Sequence, residues 1–435
     1  MKSAAAQRPG SAARRSPLPA EPESGYASGE EAAALLGVKL QTLYTYVSRG
    51  LIQSLPASKG RQRVYIRADV ERLRVRPRAR LAPGALAASA MHAGEPIIAT
   101  SITEITSAGP RYRGRLATEL ANARLAFENV AEFLWTGELH HDPIVWDVEP
   151  LPAEAEHLVK SLARPLADAP IAHVFSVFAL AISMARGSRA ERLRSSNTAM
   201  AARQVIQTFA GCFGYLSSRR AYVAGATAES IAALVLRASG TPVSEERLRL
   251  LNGLMALVAD HELSPATFAA RVAASSGADL HACLVSAIET SSGRHIAEIY
   301  DRTEDFLAGA RSKGELIQRV RDLQEAGLAP PGFHQPIYPQ GDPRMSTIFD
   351  LVRRTGRPSR YLNMVLAFLE EAERRFELKP RMEFGVVALA AELGLPPRAA
   401  AGLYILSRVA GWVAHVLEQR LSSGILRPRA KFVAG

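Results

Sequence analysis

Apolar residues recur at helical spacing through most of the chain, and glycines and prolines separate these stretches. The clearest case is LPPRAAAGLYILSRVAGWVAHVLEQRLSSG, where two prolines open a predicted helix and Gly424 ends the region. One face of this helix, at the i, i+4, i+7 and i+11 positions, carries Arg408, Trp412, His415 and Gln419. Alanine and leucine are abundant and aromatic residues few, so the pattern predicts a mostly helical protein.

Near the N-terminus, SGEEAAALLGVKLQTLYTYVSRGLI predicts two short helices separated by a tight break. Ser28 and Glu31 form an S-x-x-E capping box that starts the first helix, and Gly37 ends it. Gly50 closes the second helix. The apolar residues that can form a small core between the two are Ala33, Leu36, Val38, Leu43, Val47 and Leu51. This pattern is typical of a helix-turn-helix.

A basic turn and short strand, SKGRQRVYI, follow these helices, and RADVERLRVR then begins a third helix. Residues 25–80 therefore resemble a winged helix-turn-helix of the mercury-resistance-regulator and excisionase type. Such a module places its second helix in the major groove and its wing on phosphate. The candidate DNA-contacting residues are Gln41, Thr42, Thr45, Tyr46, Arg49, Lys59, Arg61 and Arg63. The alternative is a retained module that no longer meets DNA, or one that mediates assembly.

The charge distribution favours DNA binding because most of the excess positive charge lies in one short segment. Residues 39–80 hold eleven Lys and Arg against two acidic residues, a net charge of +9 in a chain whose total is +11. A polyanion-binding module has this kind of footprint. Residues 1–24, rich in Ala, Ser, Pro and Arg, predict a disordered tail, and residues 81–94 predict a linker.

The other features of the sequence concern the cellular compartment, membrane segments and metal sites. The two cysteines, Cys212 and Cys283, imply no disulfide framework, which fits a reducing cytoplasm. The most apolar window, residues 171–185, is too short for a membrane span and predicts a buried helix, and no secretory signal is evident. The sequence HHD at His140 predicts a solvated loop, and we expect no metal site.

Five separated motifs then identify a family. They are YRGRLATELANARLAFENVAEFLWTGEL, ADHELSPATFAARVAASSGADL, SSGRHIAE, PGFHQPIYPQGDPR and SRVAGWVAHVLEQR with its following RPR. In this order and spacing, residues 95–435 resemble citrate synthase, and in particular the family members with an N-terminal helix-turn-helix. The resemblance implies an all-α, two-domain fold with a small domain at roughly residues 280–380. It also implies a homodimer that condenses a CoA thioester with a 2-oxo acid, usually acetyl-CoA with oxaloacetate.

The resemblance assigns substrate-binding roles to four residues. His261 in DHELS matches the family's substrate-contacting histidine, and Arg344 and Arg408 match two carboxylate-binding arginines. Arg427 in RPR matches an arginine that reaches into the neighbouring subunit's site. Guanidinium groups suit this work because they bind carboxylates through two parallel hydrogen bonds.

The catalytic motifs depart from the family pattern. His295 fills the position of the enol-stabilising histidine, but Ile296 and Ala297 replace a glycine pair. Gln335 occupies the position of a second histidine, and it can donate a hydrogen bond but no proton near neutral pH. Glu383 stands where the family has an aspartate base, and its extra methylene displaces the carboxylate. These changes predict slow or absent condensation.

Two functions therefore remain in competition. The first is a citrate or 2-methylcitrate synthase-type acyltransferase of reduced activity that acts on acetyl-CoA or propionyl-CoA. The second is a pseudoenzyme that binds the same ligands and regulates DNA binding, or that joins an intact homologue in a hetero-oligomer. No cofactor is implied in either case, because the CoA thioester is a substrate. The orientation of His334, next to Gln335, is left open.

Overall fold

The computed structural model describes residues 26–48, 52, 54–56, 63–66, 70, 98–186, 195–335, 337–355, 358–422 and 424–428. The predicted tail, the predicted linker and most of the third helix of the N-terminal module lie outside these residues. So do Arg49, Lys59 and Arg61. Contacts divide the chain into one unit of residues 1–99 with 427–435 and a second unit, the body, of residues 100–426.

The N-terminal unit contains the predicted helix-turn-helix. Its elements are β1 (Tyr26–Ala27), α1 (Gly29–Leu36), α2 (Leu40–Ser48), β2 (Ser54–Pro56) and β3 (Arg63–Ile66). The capping box is present, since the Ser28 hydroxyl accepts the Glu31 amide and the Glu31 carboxylate accepts the Ser28 amide, both at 3.1 Å. Gly37 ends α1 in the left-handed conformation, at φ 65°, which a glycine adopts without strain.

A three-stranded antiparallel sheet of order β1-β3-β2 closes this unit, and β3 is the predicted wing strand. Its core holds Leu43 and Tyr65, with Leu36 and Val47 packed at the edge. Tyr46 also packs against this core and is half-buried. Part of the Tyr46 ring therefore covers the apolar groups of the module, and the rest is accessible to solvent.

The body begins with a small sheet that the helical pattern did not predict. Strands β4 (Thr103–Thr106), β5 (Gly109–Tyr112) and β6 (Arg115–Leu116) pair antiparallel in that order. Glycines at 109 and 114 have positive φ, of 108° and 85°, and allow the chain to reverse between the strands. The sheet places Tyr112 inside the body, where its side chain is fully buried.

Helices make up the rest of the described body. The first group runs through α3 (Ala117–Asn122), α4 (Phe127–Thr136), α5 (Ala153–Ser161), α6 (Ala163–Asp168), α7 (Ile171–Arg186), α8 (Ser195–Cys212), α9 (Ile231–Ala238), α10 (Glu245–Val258) and α11 (Pro265–Ser275). The second group runs through α12 (Leu280–Ser291), α13 (Glu298–Leu307), α14 (Lys313–Glu325), α15 (Arg344–Thr355), α16 (Arg360–Phe376), α17 (Met382–Glu392) and α18 (Ala399–Arg420). A short 3₁₀ turn, Phe213–Tyr215, follows α8.

Helix α18 forms the centre of the body, and nearly all of its residues are buried. It starts at Ala399, just after the two prolines, and ends at Arg420, four residues earlier than Gly424. It packs against α4, α7, α8, α10, α11, α12 and α17. Among the described residues, α18 alone is long and apolar enough to cross a membrane, and almost all of it is buried inside the body. The predicted polar face, including Arg408 and His415, points into this core.

Two connections carry the loop residues of the candidate site, one between α14 and α15 and the other between α16 and α17. The Arg381 amide donates to the Gly332 carbonyl at 2.8 Å, and the His334 amide donates to the Lys379 carbonyl at 2.9 Å. Gly332 has φ 80°, and a Cβ there would lie 2.8 Å from the Phe384 ring, so a larger residue would force the loops apart. The GFHQ loop and the start of α17 are therefore held together by backbone pairing.

Candidate active site

Arg344 lies at the first turn of α15 and is almost completely buried. Its Nε donates to Asp342 Oδ1 at 2.9 Å, and its Nη2 donates to Asp342 Oδ2 at 2.6 Å, in a two-pronged ion pair. Its Nη1 is buried and has no hydrogen-bond partner among the described residues. Asp342 thus fixes the guanidinium and leaves one of its edges available to a ligand.

Arg408 comes from the middle of α18 and is also buried. Its Nε and Nη1 find no hydrogen-bond partner in the described part of the chain. Its guanidinium carbon lies 5.2 Å from the centre of the Tyr404 ring, a cation–π distance. A buried charge whose N–H groups lack acceptors costs several kcal/mol, so these groups indicate the place of an anionic ligand.

His261 completes this cluster. Its Nε2 lies 3.1 Å from the Tyr338 hydroxyl, and the two rings meet edge to face. Burial, and then the positive charges of Arg344 and Arg408, hold the pKa of His261 well below its usual range. The imidazole is therefore uncharged near neutral pH. Burial raises the pKa of Tyr338 to about 12, so the phenol keeps its proton. Tyr338 also lies under Arg344, 5.8 Å from the guanidinium carbon to the ring centre.

A buried network fixes the segment that carries His261. Asp260 Oδ2 lies 3.2 Å from His415 Nε2, and His415 Nδ1 lies 3.3 Å from Arg271 Nη1. Because arginine only donates, Nδ1 must accept, and Nε2 donates to Asp260. Arg271 in turn binds Glu418 at 2.6 Å. Burial would raise the pKa of Asp260, but His415 and then Arg408 outweigh it and hold that pKa below its usual range.

Glu383 lies in the first turn of α17 and is mostly buried. Arg381 holds both of its oxygens, with Nη2 to Oε1 at 2.5 Å and Nε to Oε2 at 3.2 Å. Burial, and next the negative charge of Glu383, raise the pKa of Tyr300 well above its usual value, and Arg408 and Arg344 oppose this shift. Glu383 therefore lies in the same charged region as the two arginines.

The GFHQ loop carries two polar side chains, His334 and Gln335, which differ in their exposure. His334 has φ 57°, an unusual left-handed conformation for a residue other than glycine, and its side chain is exposed. Gln335 is half-buried, and its carbonyl accepts the Tyr338 amide at 2.9 Å. Gln335 is thus the more buried of the two, on the same short turn as Tyr338.

His295 occupies the turn between α12 and α13, where its side chain is exposed and hydrogen-bonds none of the described residues. An open groove of about 550 Å³ extends from the neighbouring Arg294 to Pro331, which precedes the GFHQ loop. The groove is lined by Arg294, Arg302, Asp305, Phe306, Leu323, Leu328, Ala329 and Pro331. It combines two arginines with an apolar wall.

The other sequence-derived candidates belong to the unit that contains the helix-turn-helix or to an exposed loop of the body. Arg427 is exposed and belongs to the unit formed with residues 1–99. In the N-terminal unit, Gln41 and Arg63 are exposed and Thr42 is half-buried, while the side chain of Thr45 is not described. The His140 loop is exposed, and the described residues contain no group of His, Cys, Asp or Glu that could hold a metal ion.

Sequence reasoning missed three contributors that the structure brings to the cluster. Tyr338 and Asp342 stand within the quoted loop motif, but only their contacts with His261 and Arg344 reveal their roles. Arg381 stands two residues before Glu383 and lies outside the five quoted motifs. The position of the arginine at the start of a helix was the available hint, because basic residues are unfavourable there.

Comparison with known proteins shows which family the chain belongs to. The family model for the citrate synthase C-terminal domain matches residues 91–429, and a helix-turn-helix domain model matches residues 28–74. The 2-methylcitrate synthase of Shewanella oneidensis is 26% identical over 353 residues, covering 78% of this chain and 92% of that protein. The putative citrate synthase 2 of Mycobacterium tuberculosis is 26% identical over 328 residues, covering 74% of this chain and 86% of its own length.

Solved structures show the same fold. The citrate synthase of Thermotoga maritima aligns with a TM-score of 0.64 at 21% identity, covering 79% of this chain and 94% of that one. The Thermoplasma acidophilum citrate synthase, solved as a ternary complex with carboxymethyl coenzyme A and oxaloacetate, aligns with a TM-score of 0.63 at 17% identity. It covers 78% of this chain and 94% of that one. The motif order, the helical body and the family match over most of the chain make this protein a member of the citrate synthase family with an N-terminal helix-turn-helix domain.

Proposed function

We propose that the body condenses acetyl-CoA or propionyl-CoA with oxaloacetate, at a rate below that of an intact citrate synthase. The observation that carries the proposal is the pair of buried guanidinium groups, on Arg344 and Arg408, whose free N–H groups accompany the uncharged His261. This arrangement suits a small 2-oxo acid with carboxylate groups. The relatives named as citrate and 2-methylcitrate synthases support the same class of reaction.

In this proposal, each side of the cluster has a separate task. Arg344 and Arg408 bind the carboxylates of oxaloacetate, and His261 donates a hydrogen bond to the same substrate. Arg427 of a second copy completes the set. Because the described body leaves exposed apolar side chains on α7 and α8, at Leu180, Met184 and Met200, we propose a homodimer. Light scattering that finds a monomer at micromolar concentration would remove this support.

The CoA thioester needs a base, an enol donor and room for its anionic tail. Glu383 removes a proton from the thioester methyl, His295 donates to the enol oxygen, and Gln335 polarises the ketone. The groove beside His295 offers Arg294 and Arg302 for phosphate groups and an apolar wall for the rest of the molecule. For His295 to contribute, its exposed turn must close over the bound thioester.

The structural reasons for a reduced rate are local. Gln335 can polarise a carbonyl but supplies no proton, and the neighbouring His334 is exposed to solvent. Both oxygens of Glu383 are held by Arg381. A displacement of about 1 Å in a reacting group can cost on the order of a hundredfold in rate.

Thiol release from acetyl-CoA or propionyl-CoA in the presence and absence of oxaloacetate tests the proposal. We expect slow release that depends on oxaloacetate and that Gln335→His accelerates, because the histidine restores a proton donor. The matched control is Gln318→His, an exposed glutamine on α14. Oxaloacetate-independent release, or none, would refute the condensation.

The helix-turn-helix domain favours a second function, in which ligand binding to the body changes DNA binding. The observation behind it is the net charge of +9 on residues 39–80, a segment that largely overlaps the helix-turn-helix match at residues 28–74. In this proposal, Gln41, Thr42, Thr45, Tyr46 and the basic candidates contact DNA, and the protein acts in the cytoplasm, alone or with an intact homologue. Binding to DNA from upstream of its own gene should weaken steeply with salt. Undiminished binding after deletion of residues 1–80 would refute the domain's role.

A further inference from the structure

Arg381 and Glu383 form an ion pair in the candidate catalytic region that the resemblance to citrate synthase did not include. The side chains are 18% and 11% exposed, so water screens the pair only weakly. The two contacts, 2.5 Å and 3.2 Å, engage one carboxylate oxygen each. Because the partners stand two residues apart on the same helix start, the pair forms without any contribution from a ligand.

The ion pair restricts what the carboxylate can do. A general base must direct an oxygen lone pair at the C–H bond that it breaks. In Glu383, both oxygens already accept charge-assisted hydrogen bonds from one rigid guanidinium, which fixes the plane of the carboxylate as well as its position. Any rotation of Glu383 toward a thioester must stretch both of these hydrogen bonds.

The local fold depends on the backbone amide of Arg381 but not on its side chain. Its amide donates to the Gly332 carbonyl and helps hold the two site loops together, and any residue except proline can supply that amide. The start of α17 favours a carboxylate such as Glu383 through the helix dipole, whereas it disfavours a cation. Among the described residues, Glu383 is the hydrogen-bond partner of the Arg381 side chain.

We propose that Arg381 is a positioning residue that restrains Glu383 and thereby limits the rate of proton abstraction. This inference rests on the proposed condensation. In the limiting step, the C–H bond of the thioester methyl breaks and the proton moves to a Glu383 oxygen. The C–H electron pair forms the C=C bond of the enolate, and the carbonyl π pair moves onto the thioester oxygen. Release of Glu383 from Arg381 accelerates this step without changing how Arg344 and Arg408 bind oxaloacetate.

The test compares wild type, Arg381→Gln, Arg381→Lys and the double variant Arg381→Gln with Glu383→Gln. Each is assayed for thiol release from acetyl-CoA with oxaloacetate and for deuterium uptake into the thioester methyl in D₂O. We expect Arg381→Gln to raise kcat and deuterium uptake at least tenfold, which is about 1.4 kcal/mol of activation free energy. KM for oxaloacetate should stay within about twofold, because its binding groups are unchanged.

Two of these variants distinguish release of Glu383 from a general loosening of the site. Arg381→Lys keeps the positive charge but lacks the two parallel N–H donors of the guanidinium, so it should give an intermediate gain in both rates. The double variant should lose the gain, because the released base is then absent. The matched control is Arg374→Gln, which removes an exposed ion pair with Glu371 on α16 and should leave both rates at the wild-type level.

The inference is overturned if folded Arg381→Gln is no faster than wild type, or slower, or if the double variant keeps the gain. Circular dichroism and oxaloacetate binding by calorimetry confirm that each variant is folded. Failure of the proposed function has a different signature, since neither wild type nor any variant would then form an oxaloacetate-dependent condensation product, whether or not the ligands bind. Measurable condensation by wild type without acceleration in Arg381→Gln would reject the restraint alone.

Discussion

Replacement of Arg408 by leucine should weaken oxaloacetate binding without lowering the stability of the free protein. Within the cluster, this substitution distinguishes the two effects most sharply. The guanidinium is buried, and its Nε and Nη1 have no hydrogen-bond partner among the described residues. A ligand carboxylate supplies those partners. We therefore expect Arg408→Leu to weaken oxaloacetate binding strongly while it leaves the free protein as stable as before, or more stable.

The magnitudes follow from the two unsatisfied groups. A hydrogen bond to a charged group contributes about 1.5–3 kcal/mol, so the loss of two costs at least about 3 kcal/mol of binding free energy, or about a hundredfold in Kd. Replacement of a buried ion pair by well-packed apolar side chains is neutral or stabilises a fold by about 1–4 kcal/mol, and we expect Arg408→Leu to fall in this range. For a body of this size, a gain of 1 kcal/mol raises Tm by about 2 °C.

Calorimetric titration with oxaloacetate and thermal unfolding without ligand measure the two effects on the same samples. The matched control is Arg353→Leu, which replaces an exposed arginine paired with Asp350 on α15 and should change neither quantity measurably. Wild-type affinity in Arg408→Leu would show that this guanidinium does not hold the ligand. A fall in the Tm of the free protein by several degrees would show that its charge is already compensated.

Two other substitutions, at Glu128 and at Gly411, test interactions that stabilise the fold and the site. Burial raises the pKa of Glu128 to about 7, above the ordinary value of 4.5, so the folded protein loses stability as pH rises from 4.5 through 7. Glu128→Gln keeps an acceptor for the Ile231 amide and should stabilise the body by about 3 kcal/mol at pH 8 but little at pH 4.5, as urea unfolding can measure. Equal effects at both pH values would reject a buried, protonated Glu128. Gly411→Ala would place a Cβ 2.2 Å from Asp260 Oδ1, and we expect a loss of about 1–3 kcal/mol in urea together with weaker oxaloacetate binding, because Asp260 precedes His261. The control Gly424→Ala has open space around the new Cβ, and an equal loss there would contradict the steric argument.

The elements that sequence predicted are those that local chemistry determines. Ser28, Glu31 and Gly37 fix the ends of α1 because a capping box and a left-handed glycine depend on neighbouring residues alone. The apolar and polar pattern of α18 likewise predicted a helix with Arg408 and His415 on one face. The resemblance selected His261, Arg344, Arg408 and Glu383 from distant parts of the sequence. In the structure, Arg344 and Arg408 both lower the pKa of His261, and Glu383 and the two arginines all act on the pKa of Tyr300.

The missed features depend on contacts between distant segments or on side-chain direction. The β4–β6 sheet is stabilised by burial of Tyr112 against the Asp260 backbone, 148 residues away in sequence. The exposure of His334 follows from its φ of 57°, which pairing with Lys379 fixes and no local motif encodes. Residues two apart do not face each other inside a helix, so the Arg381–Glu383 pair was unexpected. It forms because Arg381 precedes the helix in an extended conformation, with φ −89° and ψ 163°.

The central claim is that this body joins a CoA thioester to oxaloacetate through Glu383, and product analysis tests it most directly. Purified protein is incubated with acetyl-CoA or propionyl-CoA and ¹³C-labelled oxaloacetate, and the products are identified by mass spectrometry. We expect labelled citrate or 2-methylcitrate to form slowly, to vanish in Glu383→Gln, and to persist in Glu370→Gln, an exposed glutamate on α16. Thiol release without a labelled condensation product, or product formation that survives Glu383→Gln, would contradict the account.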